Sequence, residues 1–476
     1  MKVFLFAPVS MLALAACAVG PDYVPPAASA SKTAPLITAG APVSEAELPD
    51  RWWHLYEDPT LDRLIEDALS ANTDIRVAVA RLDKARAGLR EARNDRLPQT
   101  ALSASPQYGR LPAIQRFAGT KREDWRVDLG LDVSYELDLS GRVRREIEAA
   151  RGEVGAAAAD MQAVRVGIVA EVTRAYVEAA VTAQRQAVAE RIVSLLDRSL
   201  DVTDKRFQAG RAERLDVARI AALREQRRAD IPPLIAQRQA AIYRLAMLTG
   251  RTPGELPDAA SARNAPPTIN QAIPIGDGGA LLARRPDIRA AERRLAANTA
   301  RIGVATAELY PRITLGGSVG STGNGFSNLF GAGPLGWLLG PLISWSFPNQ
   351  EGARARIAGA RADTQEALAD FDGTVLRAVQ ETDTALSSYA RILDRRHALV
   401  GARDEAERAV RIVRARQREG VTDFLAVLDA ERTYADTEAS LAQADAAVAL
   451  AQIDLFRALG GGWQAEAPIN VASAAR

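Results

Sequence analysis

Arg126-Val127-Asp128-Leu129-Gly130-Leu131-Asp132-Val133-Ser134-Tyr135-Glu136-Leu137-Asp138-Leu139 is the stretch on which the fold turns. Every odd position from Val127 to Leu139 is apolar, and every even one is polar or glycine. Side chains alternate faces along a strand, so this period of two predicts a strand over 126–139 with one apolar and one wet face. Weaker alternation at Leu102, Ala104, Pro106 and Tyr108 predicts a second strand at about 99–109. Two more are expected at about 311–320 (Ile313, Leu315, Gly317, Val319) and 338–347 (Ile343, Trp345, Phe347). They read as two hairpins with loops around 109–125 and 321–337, the second rich in glycine. Taken locally, such strands suit a globular sheet on a core and a lipid-facing barrel wall equally well.

The two hairpins belong to two copies of one unit. Asp74-Ile75-Arg76 recurs as Asp287-Ile288-Arg289, and the match runs without a gap to Ser105 and Ser318, with 11 identities in 32 positions. Arg206, Gly210, Leu215 and Val217 align with Arg416, Gly420, Leu425 and Val427. Ile242, Leu248 and Gly250 align with Ile453, Leu459 and Gly461. A period of about 210 residues is far beyond the roughly 20–50 of solenoid repeats, so each copy is a large module. The expected organisation is a first repeat over 51–260 and a second over 261–465, with a tail at 466–476.

Most of the remainder reads as alanine-rich helix. Ile75, Leu82 and Leu89 fall seven apart, with Ala78, Ala85 and Ala92 at the other seam; Ile288, Leu295 and Ile302 repeat this against Ala291 and Ala305. That is heptad packing, with alanine allowing close approach. Residues 144–208 hold no proline and predict one helix of roughly 95–100 Å at 1.5 Å per residue. A matching helix is expected over 352–418. Each is expected to stop at a glycine turn, Gly210 or Gly420, and reverse. Pro232-Pro233 interrupts the first return and has no counterpart in the second half.

The N-terminus reads as an export signal over 1–16: Lys2, an apolar run from Val3 to Ala13, then Leu14-Ala15-Ala16-Cys17, which looks like a bacterial lipobox. Cys17 is the only cysteine, so lipidation is the expectation and an intrachain disulfide is impossible. Ala18 in place of aspartate after it points to the outer membrane. Residues 17–50 are expected to be a lipid-anchored linker, rich in Pro, Ala and Ser over 21–48. No run of eighteen apolar residues occurs, so any embedded part must be built of strands. In lipid no backbone edge can stay open, and barrels need at least about eight strands. Four per chain then require several chains, with Asp128, Asp132 and Glu136 facing the lumen.

Sixty Lys and Arg against 59 Asp and Glu leave a net charge of +1, which excludes a basic field for nucleic acid. Arg144-Arg145, Arg284-Arg285 and Arg395-Arg396 read as solvated helix faces. His54 and His397 lie far apart with no cysteine partner, so no zinc site or other cofactor is expected. Gly331-Ala332-Gly333-Pro334-Leu335-Gly336 matches a dinucleotide fingerprint only as a string; it opens no helix and reads as a loop between strands. No pocket unites acidic pairs, and no enzyme is expected.

Cys17-x-Val19-Gly20-Pro21-Asp22-Tyr23-x-x-Pro26, Trp52-Trp53, Asp58-Pro59-x-Leu61-x-x-Leu64-Ile65 and, after Gly420, Val427-Leu428-Asp429-Ala430 resemble the NodT-type lipoproteins of the TolC-like outer membrane factor family. The resemblance covers nearly the whole mature chain. It implies a mainly α fold with a small β part, a homotrimer with a 12-stranded outer-membrane barrel, and a long helical periplasmic tunnel. It also implies the exit duct of a tripartite efflux or secretion system, with a periplasmic adaptor (membrane fusion protein) and an RND-type inner-membrane pump as partners. By position it assigns a periplasmic gate to Leu425, Asp429 and Asp216, and adaptor contacts to the tip turns at Gly210, Leu215 and Gly420. Asp216 has a local reading beside this one, as an acid favoured in the first turn of a helix. Ala426 and Thr422 stand where the family carries an acidic and a basic residue. The competing function is a non-conducting coiled-coil adaptor lipoprotein, which would need no lipid-facing strands.

Overall fold

The computed structural model describes residues 18–26, 40, 42–110, 112, 114, 121–269, 271–276, 284–326, 329, 335–422 and 424–461. The signal segment, Cys17, much of the linker, residues 331–334 of the glycine-rich string and the tail at 466–476 lie outside them. The principal helices are α1 (Pro59–Ala71), α2 (Thr73–Asn94), α3 (Arg142–Gln208), α4 (Arg214–Ala229), α5 (Ile231–Leu248), α6 (Pro286–Ala307), α7 (Glu351–Arg418) and α8 (Phe424–Ala458). Four strands, β1 (Gln99–Arg110), β2 (Glu123–Leu137), β3 (Arg312–Asn324) and β4 (Leu335–Ser344), form one antiparallel sheet in chain order. Among the described residues no helix is long and apolar enough to cross a membrane.

The chain divides into two compact units that cut across the two sequence repeats. One takes residues 1–27, 81–158 and 290–372; the other takes 28–80, 159–289 and 373–476. Each unit is therefore assembled from matched pieces of both copies.

The first unit holds the sheet. β1 and β3 begin directly after Pro98 and Pro311, which have no N–H to give a ladder. Directly paired residues share a face, so Leu131 lies beside Leu102 and Val319, and Val319 beside Trp337. Leu131, Leu102 and Trp337 are all exposed in the single chain. On the other face Asp132 lies beside Ala101 and Ser318, and the hydroxyl of Thr322 donates to Asp128 at 2.7 Å. β2 ends at Leu137, two residues short of the expected limit, because Asp138 turns to cap α3: its carboxylate accepts from the N–H groups of Val143 (3.0 Å) and Arg144 (2.9 Å). β4 runs 335–344 rather than 338–347, since Ser344 pairs with Arg312 and Pro311 can extend the ladder no further. This strand also breaks the alternation: Leu338 and Leu342 sit on the wet face, opposite Ser318 and Thr314.

Two of the arginine pairs expected on solvated faces are split. Arg144 and Arg284 keep contact with solvent, but Arg145 and Arg285 are buried. In the first unit Arg145 clasps the start of the described chain, donating to the carbonyls of Val19 (3.2 Å) and Gly20 (3.3 Å) and to the carboxylate of Asp22 (2.7 Å). Glu148 takes its remaining guanidinium nitrogen at 2.8 Å. Gly20 has φ +90°, and a Cβ there would stand 2.5 Å from the Cα of Gly303, so no side chain fits. In the second unit Arg285 binds Asp287 (2.7 Å), Glu381 (2.8 Å) and the carbonyl of Ala458 (3.1 Å). A buried cation with every guanidinium nitrogen engaged is stable where a lone one would not be.

The second unit carries a core of Trp52, Tyr56, Ile65, Val172, Leu245 and Phe456, all buried, with Trp52 stacked on Phe456 at 4.5 Å. Asp58 caps α1 through Thr60 N–H at 3.0 Å and accepts the hydroxyl of Tyr176 at 2.8 Å. Burial and that carboxylate push the Tyr176 hydroxyl up to about 12, so it stays a donor.

Candidate functional site

The two glycine turns are built alike. Gly210 (φ +70°) and Gly420 (φ +77°) adopt the left-handed conformation that ends a helix cheaply only for glycine. Arg211 N–H returns to the carbonyl of Arg206 at 2.8 Å, and Val421 N–H to that of Arg416 at 3.0 Å. α3 and α7, of 67 and 68 residues, thus end in the same hydrogen-bonded cap.

Beyond the turns the candidate residues separate. Leu425 and Asp429 stand one turn apart on α8, share a face and are both exposed. Leu215 is likewise exposed at the start of α4. Asp216 is half-buried and occupied locally: its carboxylate accepts the N–H of Glu213 at 3.3 Å, across the first turn of α4. The same position in the second half is Ala426.

α8 is tied to its neighbours by charges that the sequence patterns left unmarked. Glu431 is buried at 6% exposure; one carboxylate oxygen takes Arg414 of α7 through Nε (3.0 Å) and Nη2 (2.8 Å), and the Ser199 hydroxyl of α3 at 2.9 Å. Arg227 of α4 binds Asp436, and Arg396 of α7 binds Asp445 at 2.6 Å. Neither Glu431 nor Arg414 has an equivalent in the first repeat, where Ala221 and Asp204 stand instead. A charge at a heptad seam was the one available signal for Glu431, two residues beyond Asp429.

The arrangement places one apolar and one acidic side chain, Leu425 and Asp429, on one exposed helix face. Among the described residues it brings together no nucleophile, base and cofactor cradle. His54 lies 3.2 Å from Asp62, and His397 is exposed on α7.

Known proteins resemble this chain over most of its length. The family model for outer membrane efflux proteins matches twice, over residues 64–251 and 279–461. The chain is 32% identical over 467 residues to outer membrane protein OprJ of Pseudomonas aeruginosa, covering 95% of this chain and 94% of that one. It is 29% identical over 462 residues to nodulation protein T of Rhizobium leguminosarum bv. trifolii, covering 96% and 97%. Among solved structures, that of the outer-membrane channel OprN is similar with a TM-score of 0.86 and 39% identity, over 94% of this chain and all of that one.

Proposed function

The chain belongs to the outer membrane efflux protein family, and from that premise we propose how its residues make an exit duct. It is the outer-membrane channel of an efflux system and has the fold of the solved outer-membrane channels. The observation that carries the reading is the sheet. β1 and β4 each have one unpaired edge, and one face presents Leu102, Leu131, Val319 and Trp337 to the outside. An adaptor has no use for such a surface. Closing β4 of one chain on β1 of the next removes every edge, and three chains give twelve strands around a lumen lined by Asp128, Asp132 and Glu136.

In this proposal a lipid on Cys17 holds the N-terminus to the outer membrane, and the barrel is the second and stronger anchor. The turns at Gly210, Leu215 and Gly420 meet a periplasmic adaptor, which connects to an RND-type pump. Leu425 and Asp429 form successive rings of three at the periplasmic mouth. Leucine rings exclude by size and dryness; aspartate rings hold hydrated cations and repel anions.

Single-channel recording in planar bilayers tests the gate. The double variant Leu425→Ala, Asp429→Ala should raise conductance and weaken block by divalent cations. Unchanged conductance and block in a correctly assembled trimer would put the constriction elsewhere.

A further inference from the structure

The second unit contains a cavity of about 180 Å³ between α3, α7 and α8. Ile192, Leu196, Val410 and Ala435 form apolar walls, and Glu431 and Arg414 form a polar end. Both Arg414 nitrogens and the Ser199 hydroxyl converge on Oε1 of Glu431, while Oε2 is fully buried and has no partner. A carboxylate oxygen without a donor is costly to bury, so this one calls for a hydrogen bond from something inside the cavity.

The surroundings restrict what that something is. A metal ion would find one free oxygen of Glu431 beside the Arg414 guanidinium and the Glu407 carboxylate, which Arg403 already engages, whereas calcium and magnesium need about six oxygens. An organic ammonium gains little, because Arg414 already neutralises Glu431 and the other charges of the wall, Glu407 and Arg411, are of opposite sign and leave no net negative charge. An anion has nothing to donate. A single water satisfies Oε2 but fills only about 10–15 Å³, and further waters would have to wet the apolar walls of Ile192, Leu196, Val410 and Ala435. An apolar cavity near 150 Å³ accepts a benzene-sized guest. Leu195, Glu407 and Tyr434 complete the wall, and the Tyr434 hydroxyl stays protonated because burial and the Glu438 carboxylate raise its pKa.

We propose that this cavity binds a small neutral amphiphile of the phenol class, its hydroxyl donating to Oε2 of Glu431 and its ring packed between Leu196, Val410 and Ala435. The site is separate from the exposed Leu425 and Asp429 and does not depend on their role.

The full-length assembled protein should be crystallised and soaked with 4-bromophenol. The expected result is an anomalous bromine peak among Leu196, Val410 and Ala435, with the phenol oxygen on Glu431 Oε2. In lipid nanodiscs, 19F NMR of 4-fluorophenol should show a saturable site that Glu431→Gln weakens about tenfold and Ala435→Leu abolishes. Ordered water alone on Oε2 in the soaked wild-type crystal would overturn the proposal, as would equal affinity in wild type and a correctly assembled Glu431→Gln. The wild-type crystal decides even where a variant fails to assemble.

Discussion

The two halves of the chain agree on the way out and differ on the way back. α3 and α7 are 67 and 68 residues long and end in glycine caps with the same hydrogen-bond pattern. The first return is broken at Asp230 into α4 and α5, where Pro232 and Pro233 supply no N–H to the preceding turn; α8 runs unbroken for 35 residues. The charges differ too. The second half buries Glu431 against Arg414, while the first has Ala221 and Asp204 at those places. The strands repeat the lesson, since β2 alternates cleanly and β4 is apolar on both faces. Duplication has kept lengths and turns, which set the frame, and has let the returning helices and the second strand of each hairpin diverge.

The largest effect should come from the divergent strand. Leu339 shares the face of Val133 and Gly317, whereas Leu338 lies with Ser318 and Asp132. Leu339→Arg should cost roughly 2–4 kcal/mol per chain near mid-membrane and deplete the trimer on native electrophoresis, and Leu338→Arg should leave assembly intact. Equal loss from both would mean that β4 is dry on both sides and that the lumen is not where the register puts it.

Next is the buried pair found only in the second half. Arg414→Ala strands the Glu431 carboxylate and should destabilise by about 3 kcal/mol, at the low end because Arg414 is itself 39% exposed. Asp204→Ala, at the matching position of the first half, should change stability by no more than about 0.5 kcal/mol. Thermal melts of the helical circular dichroism signal compare the two directly. A smaller loss from Arg414→Ala than from Asp204→Ala would erase the asymmetry.

The smallest effect separates two aspartates that the resemblance treats alike. Asp216→Ala removes a local cap and should cost about 0.5–1 kcal/mol with conductance unchanged. Asp429→Ala should alter cation block with little change in stability. Asp216→Ala altering block as strongly would return it to the gate.

Much of this was legible in residue order. Periods of two and seven are local signals, so β2, the Ile75 and Ile288 seams, and both long helices stand close to their expected limits. Both glycine turns and the interruption near Pro232 follow from backbone chemistry that needs no partner. Strand ends were less legible, because Asp138 was diverted to cap a helix and Pro311 cut short the ladder of β4.

By itself the sequence determined what repeats: two copies, two hairpins, two long helices and the alternation that marks a lipid-type face. The tertiary structure alone decided which member of the pairs Arg144-Arg145 and Arg284-Arg285 is buried. Arg144 and Arg145 are chemically identical in the chain, and it is the arrival of Val19, Gly20 and Asp22, more than a hundred residues away, that gives Arg145 partners to replace water. The same holds for Glu431, whose burial depends on Arg414 and Ser199 arriving from two other helices. Backbone periodicity is a property of neighbours in sequence. The solvation of a charge is a property of neighbours in space, and those exist only once the helices have packed.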